Sequence, residues 1–474
     1  MSAAVDVGPA RGGARLKVVN PATGAVIRDV AEDAPDGVAR KFARAVRGQK
    51  EWARVRIDDR KAPLARFGQL VQDRIEDLAA TLTGEMGKPI TQSRNEIKGL
   101  QGRIDFFLAN VHKILSEEEA GADSDGRVEE KISYEPIGVI GNISAWNYPY
   151  FVGSNVFVPA LLTGNAVLYK PSEFASLTGL KIGELMQEAG VPGDVFQVVM
   201  GGGGTGAALL DQRLAGIFFT GSYATGRKVA EAAARRLMRV QLELGGKDPV
   251  YVCDDVAEVE KVAAGVADGA FYNNGQSCCA VERVYVQERI HDRFVEAFAT
   301  SVKRFVVGDP MDETTYIGPV ARPAHLAVLE AQVADARAKG GRMSCGGARL
   351  DRPGFFFAPT VFTNASHPMA LMRDETFGPL IGIQKVAGDD EALALMNDTE
   401  YGLTASVYAS DRDRAARVLS QVNAGSAYWN CCDRVSPRLP WSGRGHSGIG
   451  STLGLAGIRA FVQPKAWHLK TPRP

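Results

Sequence analysis

The feature that most constrains the fold is an alternation of short apolar runs with amphipathic stretches between residues 138 and 236. The apolar runs end at glycine, serine or proline, which is typical of buried strands, and the stretches between them have helical periodicity. The predicted strands are 138–144, 166–172, 195–201 and 216–222. The predicted helices are 151–164, 176–189 and 224–236, and a further helix follows the strand 195–201 and ends at about residue 211. Buried strands that alternate with helices predict a doubly wound parallel sheet.

A second alternating series begins at Pro249, so we place a domain boundary near residue 245. Its predicted strands are 249–253, 282–287, 359–364, 379–386 and 404–410, and its predicted helices are 256–271, 291–305, 323–338, 389–397 and 411–422. Upstream of both series, the sequence predicts helices over 36–54, 59–83 and 92–116, a polar loop over 116–127 and a strand over 127–134. Apolar alternation over 460–470 predicts an edge strand that pairs outside its own domain.

The charge balance argues against nucleic-acid and membrane-surface partners. The chain has 55 Lys plus Arg and 55 Asp plus Glu, so it lacks the basic footprint of proteins that bind such polyanions. Residues 136–169 contain no charged side chain, but they include four Asn, three Pro and four Gly. A lipid-facing helix does not tolerate so many polar groups and helix breakers, so we interpret this stretch as buried structure rather than a membrane span.

Cysteine and histidine positions bear on the compartment and on metal binding. The six cysteines form no CxxC pair, which argues against zinc-ribbon and thioredoxin-like motifs, and a chain of 474 residues builds its core without disulfides. Reduced thiols, and an N-terminus without the apolar core of a secretory signal, predict a cytoplasmic protein. The six histidines show no HxxxH spacing, so we predict no metal site.

Two turns between a strand and a helix are candidates for binding phosphate. Residues 201–206 read GGGGTG after an apolar strand, but a glycine-rich turn is common at such a junction and is weak on its own. Ser222 opens the helix that follows the strand 216–222. Its hydroxyl and the helix N-terminus suit a phosphate, and they suit an ordinary N-cap equally well.

Cys278 and Glu243 are candidate catalytic side chains, each with a plain structural alternative. Cys278 lies in a polar turn, FYNNGQSCCAVER, where a thiol is accessible, although most cysteines are small buried residues. Glu243 lies in an apolar run that ends in Gly-Gly, where burial raises the pKa of a carboxyl group toward that of a general base. The alternative for Glu243 is an ion pair with Lys247 or Arg239.

Seven motifs, taken together and in this order, resemble those of the aldehyde dehydrogenase superfamily over residues 17–470. They are SAWNYP (144–149), KPSE (170–173), FTGS (219–222), LELGGK (242–247), GQSC (275–278), ETFGP (375–379) and NDTEYGLTASVY (397–408). The resemblance implies an α/β fold with a Rossmann-like dinucleotide-binding domain, an α/β catalytic domain and a small β oligomerisation element.

The same resemblance implies where these parts lie along the chain. Residues 1–118 and 137–245 correspond to the NAD-binding domain, and residues 246–446 to the catalytic domain, after which 447–460 return toward the NAD-binding domain. Residues 119–136 and 461–474 correspond to the oligomerisation element. Because that element extends the sheet of a neighbouring subunit in the family, the resemblance implies a homodimer or homotetramer.

The catalytic roles that the resemblance implies fall on three residues. Cys278 matches the thiol that attacks the aldehyde carbon to give a thiohemiacetal. Asn147 matches the side-chain amide of the oxyanion hole, with the Cys278 backbone N–H as the second donor. Hydride transfer to the cofactor then leaves a thioester, and Glu243 matches the base that activates water to hydrolyse it.

The implied cofactor is NAD. A carboxylate at Glu173 accepts from a ribose 2′-hydroxyl and repels a 2′-phosphate, which favours NAD over NADP. The positions that match cofactor contacts are Trp146 and Ser222 at the pyrophosphate, Lys170 and Glu173 at the adenosine ribose, Glu375 at the nicotinamide ribose and Phe377 near that ring, together with Gly221 and Gly245.

The expected substrate is a small-molecule aldehyde whose identity the motifs leave open. Asn155 stands where many members carry Trp and the succinic semialdehyde branch carries Arg. Because Asn155 is neutral, it weakens the case for a substrate that bears a carboxylate without excluding one. Thr452 stands where many members carry a Glu that helps proton release during deacylation. The residues expected to line the substrate pocket are Tyr148, Asn155, Ser277 and Cys432.

Two other readings stay open beside the hydrolytic enzyme. A CoA-acylating member of the family generally lacks the base, so the presence of Glu243 argues against it. The second is a non-catalytic member retained for NAD binding or for structure. The presence of Cys278, Asn147 and Glu243 together argues against this alternative.

Overall fold

The computed structural model describes residues 14–122 and 127–472. The N-terminal residues 1–13 and parts of the predicted oligomerisation element, 123–126 and 473–474, lie outside the described residues. The helices of the described ranges are α1 (Pro35–Trp52), α2 (Ile57–Asp73), α3 (Ile75–Met86), α4 (Ile90–Leu115), α5 (Pro149–Leu162), α6 (Ser176–Glu188), α7 (Gly203–Leu210), α8 (Tyr223–Ala234), α9 (Val259–Phe271), α10 (His291–Lys303), α11 (Pro323–Ala338), α12 (Ala370–Arg373), α13 (Asp389–Asn397), α14 (Arg412–Leu419) and α15 (Gly454–Arg459).

The strands of the same ranges form two large and three small sheets. They are β1 (Arg15–Val19), β2 (Val26–Ala31), β3 (Glu118–Ala122), β4 (Val128–Pro136), β5 (Val139–Ile143), β6 (Ala166–Lys170), β7 (Phe196–Val198), β8 (Gly216–Thr220), β9 (Arg239–Glu243), β10 (Pro249–Val252), β11 (Arg283–Gln287), β12 (Met343–Cys345), β13 (Thr360–Phe362), β14 (Leu380–Val386), β15 (Tyr401–Gly402), β16 (Thr404–Tyr408), β17 (Ser426–Trp429), β18 (Arg444–Gly445), β19 (Gly448–Ile449) and β20 (Val462–Lys470).

The first large sheet has the strand order β19-β9-β8-β5-β6-β7. All its neighbouring strands are parallel except β19, which pairs with β9 in the antiparallel sense. The chain runs outward from β5 through β6 and β7, then returns to β8 on the other side of β5. The order therefore reverses beside β5, and open α/β sheets bind ligands in the crevice at such a switch point. The predicted doubly wound parallel sheet is confirmed.

The charge-free stretch 136–169 lies at the centre of this half of the molecule. It contains β5, α5 and most of β6, and nearly every side chain of α5 is buried. Burial on all faces explains why residues 136–169 of these elements carry no charge, because an unpaired charge is costly in a packed core. Within the described residues, no helix is both long and apolar enough to cross a membrane.

The second large sheet has the order β12-β13-β14-β11-β10-β16-β17. It is parallel except for β12 at one edge. Strands β10 and β11 are buried along their whole length and lie between α9 and α10 on one side and the apolar cluster of α11, α13 and α14 on the other. The segment that carries Cys278 links α9 to β11 of the second sheet. It passes close to Gly246, which follows β9 of the first sheet.

Two parts of the sequence analysis differ from the structure. The predicted helix 59–83 is two helices, because Arg74, with φ −119° and ψ 23°, leaves the helical conformation between α2 and α3. The predicted loop 116–127 contains a strand, β3. Its sequence, EEAGA, has little strand propensity and all five residues are exposed. It is held by its pairing with β4, and the local sequence does not predict that pairing.

The predicted tail strand is present as β20. It pairs with β4 over nine residues, from Val462 opposite Pro136 to Lys470 opposite Val128. The resulting three-stranded sheet has the order β20-β4-β3, so the outer edge of β20 has no strand beside it within the described residues. Most side chains of β20 are exposed.

Candidate active site

Cys278 lies in a tight segment that links the two large sheets. Just before it, Asn273 and Asn274 adopt left-handed backbone conformations, with φ of 53° and 58°, which asparagine tolerates better than most residues. The Asn273 side chain donates to the carbonyl of Asn147 at 3.2 Å and to that of Gln276 at 3.0 Å. The Asn273 backbone N–H donates to Gln92 of α4 at 2.8 Å. The thiol segment is therefore fixed to the turn that carries Asn147.

The two adjacent thiols, Cys278 and Cys279, differ in their surroundings. Both line the same cavity, but Cys278 is partly exposed, whereas Cys279 is buried and donates to the Asp433 carboxylate at 3.1 Å. A hydrogen bond with Cys278, together with burial and the nearby Asp433 carboxylate, raises the pKa of Cys279 well above its ordinary value. Since the thiolate is the nucleophilic form, this arrangement disfavours Cys279 as a nucleophile.

Glu243 ends β9 and is almost fully buried. Its Oε1 accepts from Gln241 at 2.9 Å and from Thr452 at 3.2 Å, while its Oε2 is buried without a hydrogen-bond partner in the described chain. Burial raises the pKa of Glu243 to about 8, and the hydrogen bonds from Thr452 and its neighbours oppose that rise. The structure gives Glu243 no ion pair with Lys247 or Arg239, since Lys247 binds Glu282 at 2.7 Å and Arg239 donates to backbone carbonyls. An ionisable carboxyl with one free oxygen is suited to accept a proton.

Two glycines after Glu243 allow three chain segments to meet. A Cβ on Gly245 would lie 2.4 Å from the Glu375 carboxylate, and a Cβ on Gly246 would lie 2.4 Å from the carbonyl oxygen of Cys278. The Gly246 N–H donates to Glu375 Oε1 at 3.0 Å. Only glycine permits this approach, so the Gly-Gly pair brings the base, the thiol segment and Glu375 together.

The crevice at the switch point gathers most of the predicted cofactor-binding residues. Trp146 follows β5 and its ring meets that of Phe377 edge-on, with centroids 5.5 Å apart. Phe377 has a left-handed φ of 49° and its N–H donates to Glu282 at 2.9 Å, which fixes the ETFGP loop. Gly221 and Ser222 follow β8, and Ser222 accepts from the Thr225 N–H as the N-cap of α8. The capping role of Ser222 is thus present, and the N-terminus of α8 still opens on the crevice.

The predicted ribose contacts lie at the end of β6. Lys170 is buried, and burial lowers the pKa of its ammonium group. Its Nζ lies 3.9 Å from Glu173 Oε2, a carboxylate that is more than one-third exposed. The Glu173 carboxylate can accept hydrogen bonds from hydroxyl groups, and it repels a second negative charge.

A cavity of about 520 Å³ opens beside Cys278. Three of the four residues predicted for the substrate pocket, Tyr148, Asn155 and Ser277, line it. Cys432 does not. It lines a separate cavity with Gly265 and Tyr408, whose hydroxyl lies 3.4 Å from the Cys432 thiol.

The backbone around Cys432 explains this difference. Asn430 and Asp433 have left-handed φ of 56° and 47°, and this turn directs Cys432 back toward α9. The same turn brings Asp433 and Arg434 to the wall of the substrate cavity. The expectation that Cys432 lines the substrate pocket was therefore wrong, and Asp433 and Arg434 form this wall instead.

The sequence and the fold both match proteins of known family. The sequence profile described as "Aldehyde dehydrogenase family" matches residues 9–467. The chain belongs to the aldehyde dehydrogenase family. It is 36% identical over 460 residues to a betaine aldehyde dehydrogenase of Cereibacter sphaeroides, a match that covers 96% of this chain and 94% of the relative.

Two solved structures show the same fold. An NAD-dependent aldehyde dehydrogenase from Sinorhizobium meliloti matches with a TM-score of 0.94 and 34% identity, covering 98% of this chain and 93% of the other. An NADP-dependent enzyme of E. coli matches with a TM-score of 0.94 and 30% identity, covering 97% and 96%. The predicted family and fold class are confirmed, and relatives with either nicotinamide cofactor share the fold.

The residues in the crevice of this aldehyde dehydrogenase fit a dinucleotide. The N-terminus of α8 offers backbone N–H groups for a pyrophosphate, and Arg322 supplies a cation that the sequence analysis did not identify. Arg322 lies 5.8 Å from the Trp146 ring and 5.6 Å from the Phe174 ring, and its Nε is buried without a hydrogen-bond partner in the described ranges. An orphaned buried donor beside Trp146, a predicted cofactor contact, suits an anionic ligand.

The glycine-rich stretch 201–206 has a different role in this family member. The Gly202 N–H donates to the Glu32 carboxylate at 3.1 Å, and Thr205 donates to the Asp33 carbonyl at 3.2 Å. An acidic side chain from the end of β2 thus occupies the turn that a phosphate would need. This arrangement disfavours the phosphate-loop reading of GGGGTG.

The side chain of greatest consequence that sequence reasoning missed is Arg103 of α4. Buried positions of α4 recur with the spacing Ser93, Glu96, Leu100, Arg103 and Phe107. A charged residue on such a stripe is a signal that was available from periodicity alone. Among the described residues, no group of three or more His, Cys, Asp or Glu could hold a metal ion.

Proposed function

We propose that this protein oxidises an aldehyde to its carboxylic acid with NAD as the oxidant, through a thioester on Cys278. The observation that carries the proposal is the pairing of a partly exposed thiol with a buried, weakly acidic carboxyl, Glu243, on segments that Gly246 brings into contact. Family membership and the names of the relatives support the same reaction class.

In the first step, the Cys278 thiolate attacks the carbonyl carbon of the aldehyde. A bond forms between Sγ and carbon, and the carbonyl oxygen becomes an oxyanion. The side-chain amide of Asn147 makes no hydrogen bond within the described ranges, so its N–H groups are free to donate to that oxyanion, with the Cys278 backbone N–H as second donor. Donors held in place before the charge develops lower the barrier without reorganisation.

The nicotinamide cofactor, when bound, supplies the hydride acceptor that converts the thiohemiacetal on Cys278 into a thioester. Glu243 then takes a proton from a water molecule, which attacks the thioester carbon. The C–S bond breaks, the carboxylic acid leaves, Cys278 returns as the thiolate that began the cycle, and Glu243 gives up its proton to solvent. Because burial sets the pKa of Glu243 to about 8, this side chain releases and accepts protons close to neutral pH, as a general base requires.

The choice of NAD over NADP rests on Glu173. Its carboxylate stands next to Lys170 at the end of β6 and would repel a 2′-phosphate group. The relatives with NADP in their names share the fold, so the fold alone does not set this preference. Glu243 also argues against the CoA-acylating alternative, because a base that activates water would compete with the thiol of CoA.

The domain division and the assembly are part of the proposal. Residues 1–118 and 137–245 form the NAD-binding domain, 246–446 the catalytic domain with 447–460 returning to the first sheet, and 119–136 with 461–474 the oligomerisation element. The open edge of β20 supports a homodimer or homotetramer, because an unpaired edge strand is a template for another chain. All six cysteines are free, which supports a reducing, cytoplasmic setting.

The test is NADH absorbance with purified protein, NAD and a panel of aldehydes, without CoA. The panel runs from short aliphatic to aromatic aldehydes and includes betaine aldehyde, the substrate in the name of the relatives. We expect turnover that Cys278→Ala abolishes. Turnover that strictly requires CoA would favour the acylating alternative, and NAD binding without turnover of any aldehyde would favour the non-catalytic one.

A further inference from the structure

Arg103 is a buried cation that lines the substrate cavity and has no carboxylate partner in residues 14–122 and 127–472. Its side chain extends from α4 and is almost fully buried. Its single hydrogen bond within the described residues runs from Nη1 to the side-chain oxygen of Asn155, at 2.8 Å. The Phe151 ring covers the guanidinium, with its centroid 3.9 Å from Cζ.

Neighbouring buried cations in the same protein are paired differently. Lys88, which lies between α3 and α4, forms an ion pair with Glu96, and Lys247 forms one with Glu282 at 2.7 Å. Arg103 forms no ion pair with any described carboxylate. Removing a charge from water is costly unless an opposite charge replaces the lost hydration, so this guanidinium lacks a counter-ion that its neighbours have.

Of the other charged groups that line the cavity, the exposed Arg434 donates to the backbone carbonyl of Asp433 at 3.4 Å, and the carboxylates are engaged elsewhere. Glu96 is held by Lys88, and Asp268 accepts from the Tyr316 hydroxyl. Asp433 accepts from the Cys279 thiol, and burial raises the pKa of Asp433 to about 6. Burial lowers the pKa of Arg103 to about 10, so the guanidinium stays protonated near neutral pH.

We propose that the substrate is an aldehyde that also bears a carboxylate, which Arg103 binds while the carbonyl carbon meets Cys278. Both residues line the same cavity. A guanidinium has five N–H donors, of which Asn155 takes one, and its planar fork suits two parallel hydrogen bonds to a carboxylate. Asn155 and Phe151, both on α5, hold that fork in place. Arg103 thus supplies from α4 the positive charge that Asn155 itself lacks.

This inference rests on the proposed function, and it argues against a substrate that carries a positive charge. An aldehyde with a quaternary ammonium group would meet Arg103 with a like charge, which disfavours it. Asp433 offers such a cation a carboxylate, but that group is already bonded to Cys279. The name of the betaine aldehyde relatives therefore does not extend to the substrate of this chain.

The experiment compares kcat/KM for matched acids and esters. Succinic, glutaric and adipic semialdehydes and 4-carboxybenzaldehyde are each paired with the methyl ester of the same skeleton, and betaine aldehyde is added. We expect at least one acid to exceed its ester by about tenfold to a hundredfold, the range of a charge-assisted hydrogen bond. Arg103→Met should remove this preference through KM while the esters keep their rates within about threefold. Arg103→Lys should restore part of it.

A binding measurement separates this inference from the reaction class. Calorimetry with Cys278→Ala protein measures the affinity for succinate, glutarate, adipate and terephthalate, with and without Arg103→Met. Arg103-dependent binding supports the subsite even if no aldehyde is turned over, in which case the proposed function fails alone. Equal kcat/KM for acids and esters, a preference for betaine aldehyde, or dicarboxylate binding unchanged by Arg103→Met would each overturn the inference. Melting temperatures of both Arg103 variants show whether the fold is retained.

Discussion

The two sides of the site are built differently. On the catalytic and cofactor side, residues follow parallel strands or a Gly-Gly backbone, and Glu243, Glu375 and Lys170 each have a defined backbone or side-chain neighbour. On the substrate side, α4, α5 and the loop after β17 supply the walls, and Arg103 forms no ion pair within the described part of the chain. The difference teaches that residues at the strand ends determine the chemical reaction. The helices and loops determine which substrate binds, because they present the unpaired charge of Arg103 to it. Variants on the first side should therefore change all aldehydes equally, and variants on the second should change their ranking.

The largest effect should come from Cys278→Ala. Without the thiol no covalent intermediate forms, and we expect the loss of turnover to exceed about a thousandfold for every aldehyde, while NAD still binds. Steady-state NADH formation and NAD binding by fluorescence or calorimetry measure the two effects. Cys279→Ala is the matched control, since its buried thiol stays protonated, and it should retain most activity. Equal loss in both variants would contradict the assignment of Cys278 as the nucleophile.

Glu243→Gln should slow steady turnover by about a hundredfold or more but spare a first burst of NADH. The burst persists because oxidation precedes the hydrolysis that needs the base. Stopped-flow absorbance measures burst and steady state separately. In the wild type, the rate of hydrolysis should rise with pH through about 8, because the carboxyl releases its proton only above its raised pKa.

Glu375 provides the control for that pH limb. Burial also raises its pKa to about 8, so it titrates in the same range. Glu375→Gln should keep the limb if Glu243 causes it, and Glu243→Gln should remove it. The reverse pattern would transfer the base role away from Glu243.

Glu173→Ser should reduce the preference for NAD over NADP by about tenfold, since it removes a carboxylate that repels a 2′-phosphate. The ratio of kcat/KM for the two cofactors measures the effect. The ranking of aldehydes should not change, because Glu173 lies at the end of β6 and not in the substrate cavity. A changed ranking would break the separation of the two sides.

Thr452→Val should have the smallest effect. The Thr452 hydroxyl donates to Glu243 at 3.2 Å and holds the pKa of that carboxyl below the value that burial alone would set. Its removal should move the pH limb of hydrolysis upward by less than about one pH unit. The pH dependence of steady turnover measures the shift. A downward shift would mean that Thr452 does not stabilise the ionised form.

Motif order along the chain was enough to predict the family, the paired α/β sheets and the candidate residues around Cys278. The motifs sit at strand ends and glycine turns, where backbone geometry admits few residue types, so local sequence carries the information. The strand β3 escaped prediction because its exposed EEAGA sequence is held only by β4. Cys432 was misplaced because left-handed turns at Asn430 and Asp433 rotate it out of the cavity.

The sequence by itself determined the fold class, the family and the residue types that the reaction needs, because periodicity and turn residues act over a few neighbours. Only the tertiary structure decided which charges meet. It brought Arg103 of α4 to Asn155 of α5, separated Cys278 from Cys279 by burial, and set Thr452 against Glu243 across more than two hundred residues of chain. Electrostatic interactions depend on distance and burial in space rather than on separation in sequence, so no local pattern contains them.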